Sequence, residues 1–178
     1  PIFAASAPNS GAGSAALMQD GFIFSDTIAG NIIMGDEQPD IARLEHALAV
    51  ANLTQFINDL PLGLNTKIGA EGKGISGGQK QRILIARVVY KNPEYIFLDE
   101  ATSALDANNE KMIIQQLNEF CKNKTVVVVA HRLSTVRNAN NIIVLHKGEI
   151  IEQGSHQELV EMRGYYYDLI KNQLELGN

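Results

Sequence analysis

Cysteine is almost missing: Cys121 is the only one in 178 residues, which excludes an internal disulfide. It ends an amphipathic helical run, so a buried structural thiol is the expectation rather than a reactive one. Long apolar runs are missing too. Nothing approaches the roughly 20 residues that span a bilayer, and no signal peptide is visible, so membrane association is expected to come through a partner. Positive charge is scarce, with 15 Lys and Arg against 20 Asp and Glu and a formal net charge of −5. Without a concentrated basic face, a general nucleic-acid-binding surface is disfavoured. Residues 1–17 carry no charge at all and are rich in Ala, Gly and Ser. They read as a linker, an appended remnant or a flexible lead-in with little regular structure.

What is present suits one soluble globular domain: 45% hydrophobic and 20% charged residues over a length that supports a core. The chain is organised around Gly74 to Asp106, which holds three pieces of chemistry in fixed order. Ser76-Gly77-Gly78-Gln79 is a small-residue turn opening a helical run, where free backbone N–H groups and the helix dipole make an anion seat. After Pro93, the apolar run Tyr95-Ile96-Phe97-Leu98 ends in Asp99-Glu100, as a buried strand does when it delivers carboxylates to a sheet edge. The first acid suits Mg²⁺ and the second suits activation of a water. Ser103-Ala104-Leu105-Asp106 is a polar exit into the next helix. Each piece alone is commonly a plain turn or a solvated loop; their order and spacing carry the argument.

Together these motifs resemble those of the nucleotide-binding domain of ATP-binding-cassette (ABC) transporters. Ser76-Gly77-Gly78-Gln79-Lys80-Gln81-Arg82 is similar to the family's signature, Ile96-Phe97-Leu98-Asp99-Glu100 to its Walker B strand, and Ser103-Ala104-Leu105-Asp106 to its D-loop. Met18-Gln19-Asp20 with the run Gly21 to Ile32 resembles the Q-loop of exporter-type cassettes. A Gln there has the reach to contact a metal-bound water and a phosphate without adding charge. His131, after the β-branched run Thr125 to Ala130, stands where the family has its switch histidine. The family's phosphate loop is G-x-x-x-x-G-K-[ST]; Asn9-Ser10-Gly11-Ala12-Gly13-Ser14 is only faintly like it and has no Lys before the Ser.

The expected fold is therefore α/β: the C-terminal part of a RecA-like parallel sheet with flanking helices, plus an α-helical subdomain, an ABC ATPase fold incomplete at its N-terminal side. Residues 18–92 would hold the Q-loop, the helical subdomain and the signature helix; residues 93–178 the Walker B, D-loop and H-loop half of the core with the C-terminal helices. Helical spacing of Ile41, Leu44, Ala47, Leu48 and Ala51 after a capping Asp40, and of Ile113, Ile114, Leu117 and Phe120, supports two of those helices. The Val-rich run 125–130 should be covered on both faces. Asn141 to Glu152 reads as a hairpin about Lys147-Gly148, with His146 on a strand face, and Ser155 caps the next helix.

The resemblance implies ATP and Mg²⁺ as ligands, with Glu100, His131 and Gln19 catalytic, Asp99 and Gln19 at the metal, and Ser76, Gly77, Gly78, Gln79 and Asp106 on the nucleotide. It implies a membrane-spanning partner, a second nucleotide-binding domain in a head-to-tail dimer, no nucleic acid, and a place on the cytoplasmic face of the cell membrane. The parent domain would hydrolyse ATP to drive export, with peptides or bacteriocins as one cargo class; whether this chain alone does so stays open. Two other readings stand beside it: a non-catalytic module docking on a membrane partner, and an ATPase head of the chromosome-maintenance type.

Overall fold

The computed structural model describes residues 2–5, 14–17, 21–69, 74–99, 107–130 and 136–176. Four of the helices start where the sequence places a side chain able to accept from a first-turn amide. Thr27 Oγ1 accepts from Gly30 N at 2.9 Å to open α1 (Ile28–Ile33). Asp40 accepts from Arg43 N at 3.0 Å to open α2 (Ile41–Val50). A short α3 (Thr54–Asn58) and a 3₁₀ turn (Gly63–Asn65) follow. The signature helix α4 (Gly77–Lys91) ends at Asn92, whose φ of 47° reverses the chain before Pro93. After α5 (Ala107–Phe120), Ser155 and Glu158 form a reciprocal capping box for α6 (His156–Met162), and α7 (Tyr165–Leu176) closes the chain.

The strands are β1 (Ile2–Ala5), β2 (Ser14–Leu17), β3 (Asp26–Thr27), β4 (Lys67–Ile68), β5 (Tyr95–Asp99), β6 (Thr125–Ala130), β7 (Asn141–His146) and β8 (Glu149–Gly154). Six form one sheet in the order β2-β5-β6-β1-β7-β8, and β3 pairs with β4 apart from it. β2, β5 and β6 run parallel, as expected. The β7–β8 hairpin turns on Lys147 (φ 51°) and Gly148 (φ 87°), two positive values that match a hairpin's twist.

Three expectations need correction. Residues 1–17 are not without regular structure, since β1 and β2 are both strands. Their uncharged small and apolar residues fit a ladder whose partners are already set, so tertiary pairing outweighs weak local preference. The sheet is mixed rather than parallel, because β1 lies between β6 and β7 and runs against both. The sheet is also not covered on both faces. Ile96 is 1% exposed under the helices, yet its strand neighbours Tyr95 and Phe97 are 37% and 45% exposed on the other face, beside a β6 only half-buried.

The main core joins Leu17, Ile23, Ile28, Leu44, Leu48, Ile83, Ile85, Ile96, Ile113 and Leu117, so α1, α2, α4 and α5 share it with the sheet. α4 is wrapped by α1, α2 and β2, in keeping with its nearly all-round apolar sequence. A smaller core gathers Val136, Ile142, Val144, Leu159, Tyr166 and Ile170 around β7, α6 and α7. Ile41 and Ile114 leave their expected faces and are exposed: Ile41 is in the first turn of α2, and Ile114 is one residue, some 100°, round from buried Ile113. Cys121 is half-buried, and that burial pushes its thiol up to about 11. His146 lies on an exposed strand end with its ring 5.0 Å from that of Tyr165, a packing role as expected.

Candidate nucleotide site

Ser76 is exposed, in extended backbone, and does two jobs at the start of α4. Its Oγ accepts from Gln79 N at 3.2 Å, and its own N–H donates to Gln79 Oε1 at 2.8 Å. Lys80 N donates to the Ser76 carbonyl at 2.9 Å. The first-turn amides of Gly77 and Gly78 have no acceptor among the described residues. They are the free donors of a helix fifteen residues long, at the positive end of its dipole. A Cβ at Gly77 would meet nothing within 4 Å, so the space beside that residue is open. Gly74, at φ 91°, sets the turn into the cap with a backbone that side-chain-bearing residues rarely adopt.

Asp99 closes β5, half-buried, opposite Val129 in the parallel pairing with β6. Leu17 of β2 pairs with Leu98, so β2, β5 and β6 end on one edge of the sheet, where ligands of open α/β sheets collect. Of the site residues expected from sequence, Ser76, Gly77, Gly78, Gln79 and Asp99 are described. Gln19, Glu100, Asp106 and His131 lie outside the described residues. No cluster of three or more His, Cys, Asp or Glu occurs among the described residues. A metal there would draw a single carboxylate from them, a donor set that fits Mg²⁺, which commonly takes one or two carboxylates and fills its shell with water and phosphate oxygens.

Asn31, which the sequence offers only as part of the run Gly21 to Ile32 after the Q-loop glutamine, is completely buried and bonded to the loop before α1. The nearest signal is Arg87, the one charge interrupting the apolar run Ile83–Tyr90. Arg87 is its partner: the guanidinium donates to the Asn31 carbonyl at 2.8 Å and to Asn31 Oδ1 at 3.3 Å.

Against known proteins, residues 5–103, more than half the chain, match the family model described as ABC transporter. The chain belongs to the ABC transporter family. Its fold is accordingly the ABC ATPase fold, and membership implies ATP binding. The cassette is 48% identical over 158 residues to multidrug resistance protein 4 of Entamoeba histolytica, covering 87% of this chain and 12% of that protein. It is 47% identical over 154 residues to an ATP-dependent lipid A-core flippase of Cupriavidus metallidurans, covering 85% of this chain and 26% of that one. It superimposes with a TM-score of 0.83 on a bacterial Atm1-family ABC exporter with ATP bound, at 38% identity, over 90% of this chain and 28% of the other. The chain therefore spans about a quarter or less of the length of such relatives. No helix among the described residues is long and apolar enough to cross a membrane.

Proposed function

We propose that this chain is the signature, Walker B and C-terminal portion of a cassette that couples ATP hydrolysis to export through a membrane-spanning partner. The observation that carries the reading is the open pair of amides at Gly77 and Gly78, held by the Ser76–Gln79 capping box at the head of a long buried helix. That geometry is made for a phosphate. In a head-to-tail dimer it would face nucleotide bound by the second cassette, with Asp106 linking the two sites.

Phosphoryl transfer asks mainly for positioning and charge neutralisation. Asp99, at the sheet edge, would hold Mg²⁺ through water, and Glu100 beside it in sequence would take the proton of the attacking water. Gln19 and His131 would orient the γ-phosphate. When bound, Mg²⁺ neutralises charge developing on the phosphate oxygens.

The portion is read as partial on two observations. The first lysine in the sequence is Lys67, so the stretch before the Q-loop offers no phosphate-loop lysine. Phe97 and Tyr95 are partly exposed on one face of β5, which suits a further element of a longer domain. Similar identities to proteins named for multidrug resistance, for translocation of a toxin and for a lipid A-core flippase, at 48%, 44% and 47%, suit a cassette that handles ATP rather than cargo. Its place would be the cytoplasmic face of a membrane. The missing lysine is what favours the second reading, a docking module without turnover; the acidic balance speaks against a DNA-maintenance head.

Calorimetry with MgATP tests the partial reading: the isolated chain should give no detectable heat up to millimolar nucleotide. Micromolar binding lost on changes within residues 6–13 would overturn it. In the longer exporter, Glu100→Gln should stop turnover while nucleotide stays bound; unchanged turnover would remove Glu100 from its role.

A further inference from the structure

α2 ends inside the main core, where Val50, Ala51 and Leu53 are all buried, so its last carbonyls need partners other than water. The turn that follows, with Asn52 at φ 50°, supplies some of them. The amides of Ala51, Asn52 and Leu53 donate to the carbonyls of Ala47, Ala49 and Leu48 at 3.1, 3.0 and 2.8 Å. No basic residue stands in the last turn of α2 itself. Two side chains from distant elements complete the end instead. Arg82, half-buried in α4, donates from Nη1 to the Asn52 carbonyl at 2.8 Å. Gln116, half-buried in α5, faces two carbonyls, so its amide nitrogen is turned toward them and donates to Ala49 at 2.7 Å and to Val50 at 3.1 Å.

The place of Arg82 along α4 gives this junction its consequence. From Ile83 to Tyr90 every residue but Arg87 is buried, whereas Ser76 to Lys80 are exposed or half-buried. The head of α4 thus projects from the packed body of the helix, and Arg82 stands where the two meet, about two turns beyond Ser76. Its guanidinium also brings a positive charge to the negative end of the α2 dipole, through a charge-assisted bond. Gln116 ties the same end of α2 to α5, whose first residue, Ala107, follows Asp106.

We propose that Arg82 and Gln116 are positioning residues: joined through the C-terminal end of α2, they hold the projecting head of α4, with its Gly77 and Gly78 amides, in place against α5. That the head receives a phosphate rests on the reading above; the way it is held does not.

The test uses the full 178-residue chain without nucleotide, so its outcome is independent of whether the chain binds ATP. Carbonyl carbon shifts and amide exchange are compared by NMR for the unmodified chain, Gln116→Met, Gln116→Lys, Arg82→Met and Arg82→Lys. In the unmodified chain the side-chain amide protons of Gln116 should exchange slowly. Gln116→Met, close in shape but without a donor, should move the Ala49 and Val50 carbonyl signals and, through α2, speed exchange of the Lys80 amide. Gln116→Lys should reverse both effects, since an ammonium serves the carbonyls at a helix C-terminus equally well; a residue present only for packing would be better replaced by Met. Arg82→Met should move the Asn52 carbonyl signal and speed exchange of the Gln79 and Lys80 amides roughly tenfold, while Val88 and Val89 at the far end of α4 keep their rates. Arg82→Lys should recover part of this, because it keeps the charge and one donor but not the planar fork. Freely exchanging Gln116 side-chain protons in the unmodified chain overturn the proposal even if no variant folds. Equal acceleration at both ends of α4 in Arg82→Met overturns it, as does a Gln116→Met chain in which Lys80 exchanges at its original rate.

Discussion

Replacing Ser76 separates the capping of α4 from the anion seat at its head. Ser76→Ala deletes the Oγ that accepts from Gln79 N at 3.2 Å and breaks the reciprocity of the capping box. Loss of an N-cap acceptor costs about 1 kcal/mol, within a range of about 0.5–2. α4 is the helix around which α1, α2 and β2 pack, so fraying there is felt by the whole unit. For a chain of this size that corresponds to a fall in Tm of roughly 2–4 °C. Ser76→Asp restores an acceptor and adds a charge that the helix dipole favours, so its stability should return to within about 0.5 kcal/mol of the unmodified chain. The same carboxylate would occupy and repel the anion seat. Thermal and urea unfolding followed by far-ultraviolet circular dichroism reads the stabilities. If Ser76→Asp falls as far as Ser76→Ala, the cap is not what holds the start of α4 and the reasoning fails.

Ile96→Ala should cost about 2–5 kcal/mol, as for a fully buried side chain, whereas Phe97→Thr next to it should cost under about 1 kcal/mol because that face of the sheet is open; urea midpoints compare the pair. The Tyr90 hydroxyl, and secondarily the Gln38 amide, hold the Asp36 carboxyl below its ordinary range. The stabilisation this gives is present above the unfolded carboxyl value near pH 4 and is lost as pH falls through the lower folded value. Tyr90→Phe should bring the Asp36 titration seen by carbon NMR back up, and no change would contradict the bond. Burial raises Cys121 to about 11, so its thiolate fraction near pH 7 should be about a hundredfold lower than that of a thiol at 9.0, and its reaction with a disulfide reagent should be slow and should quicken on unfolding.

Much of the architecture is written in local chemistry. Asp40, Ser76 and Ser155 open their helices because short polar side chains before apolar runs have few better uses. The strand ending in Asp99 and the Lys147-Gly148 turn follow from β-branched and aromatic runs bounded by Pro and Gly. What the pattern could not give depends on distant partners. Residues 2–5 have little strand preference beyond Ile2 and Phe3, yet they pair because β6 and β7 offer an edge each. The burial of Asn31 is not legible until Arg87, 56 residues later, is found bonded to it. Ile114 and Ile41 were on apolar stripes, but a stripe does not say which of its members the neighbouring helices reach.

The nucleotide seat itself is tested most directly by titrating MgATP into nitrogen-15-labelled chain to about ten millimolar and following the Gly77 and Gly78 amides. The account predicts weak, fast-exchange shifts centred on those two amides, and their loss in Ser76→Asp at unchanged stability. Shifts that leave Gly77 and Gly78 unmoved, or that persist in Ser76→Asp, would contradict a phosphate-binding role for the head of α4.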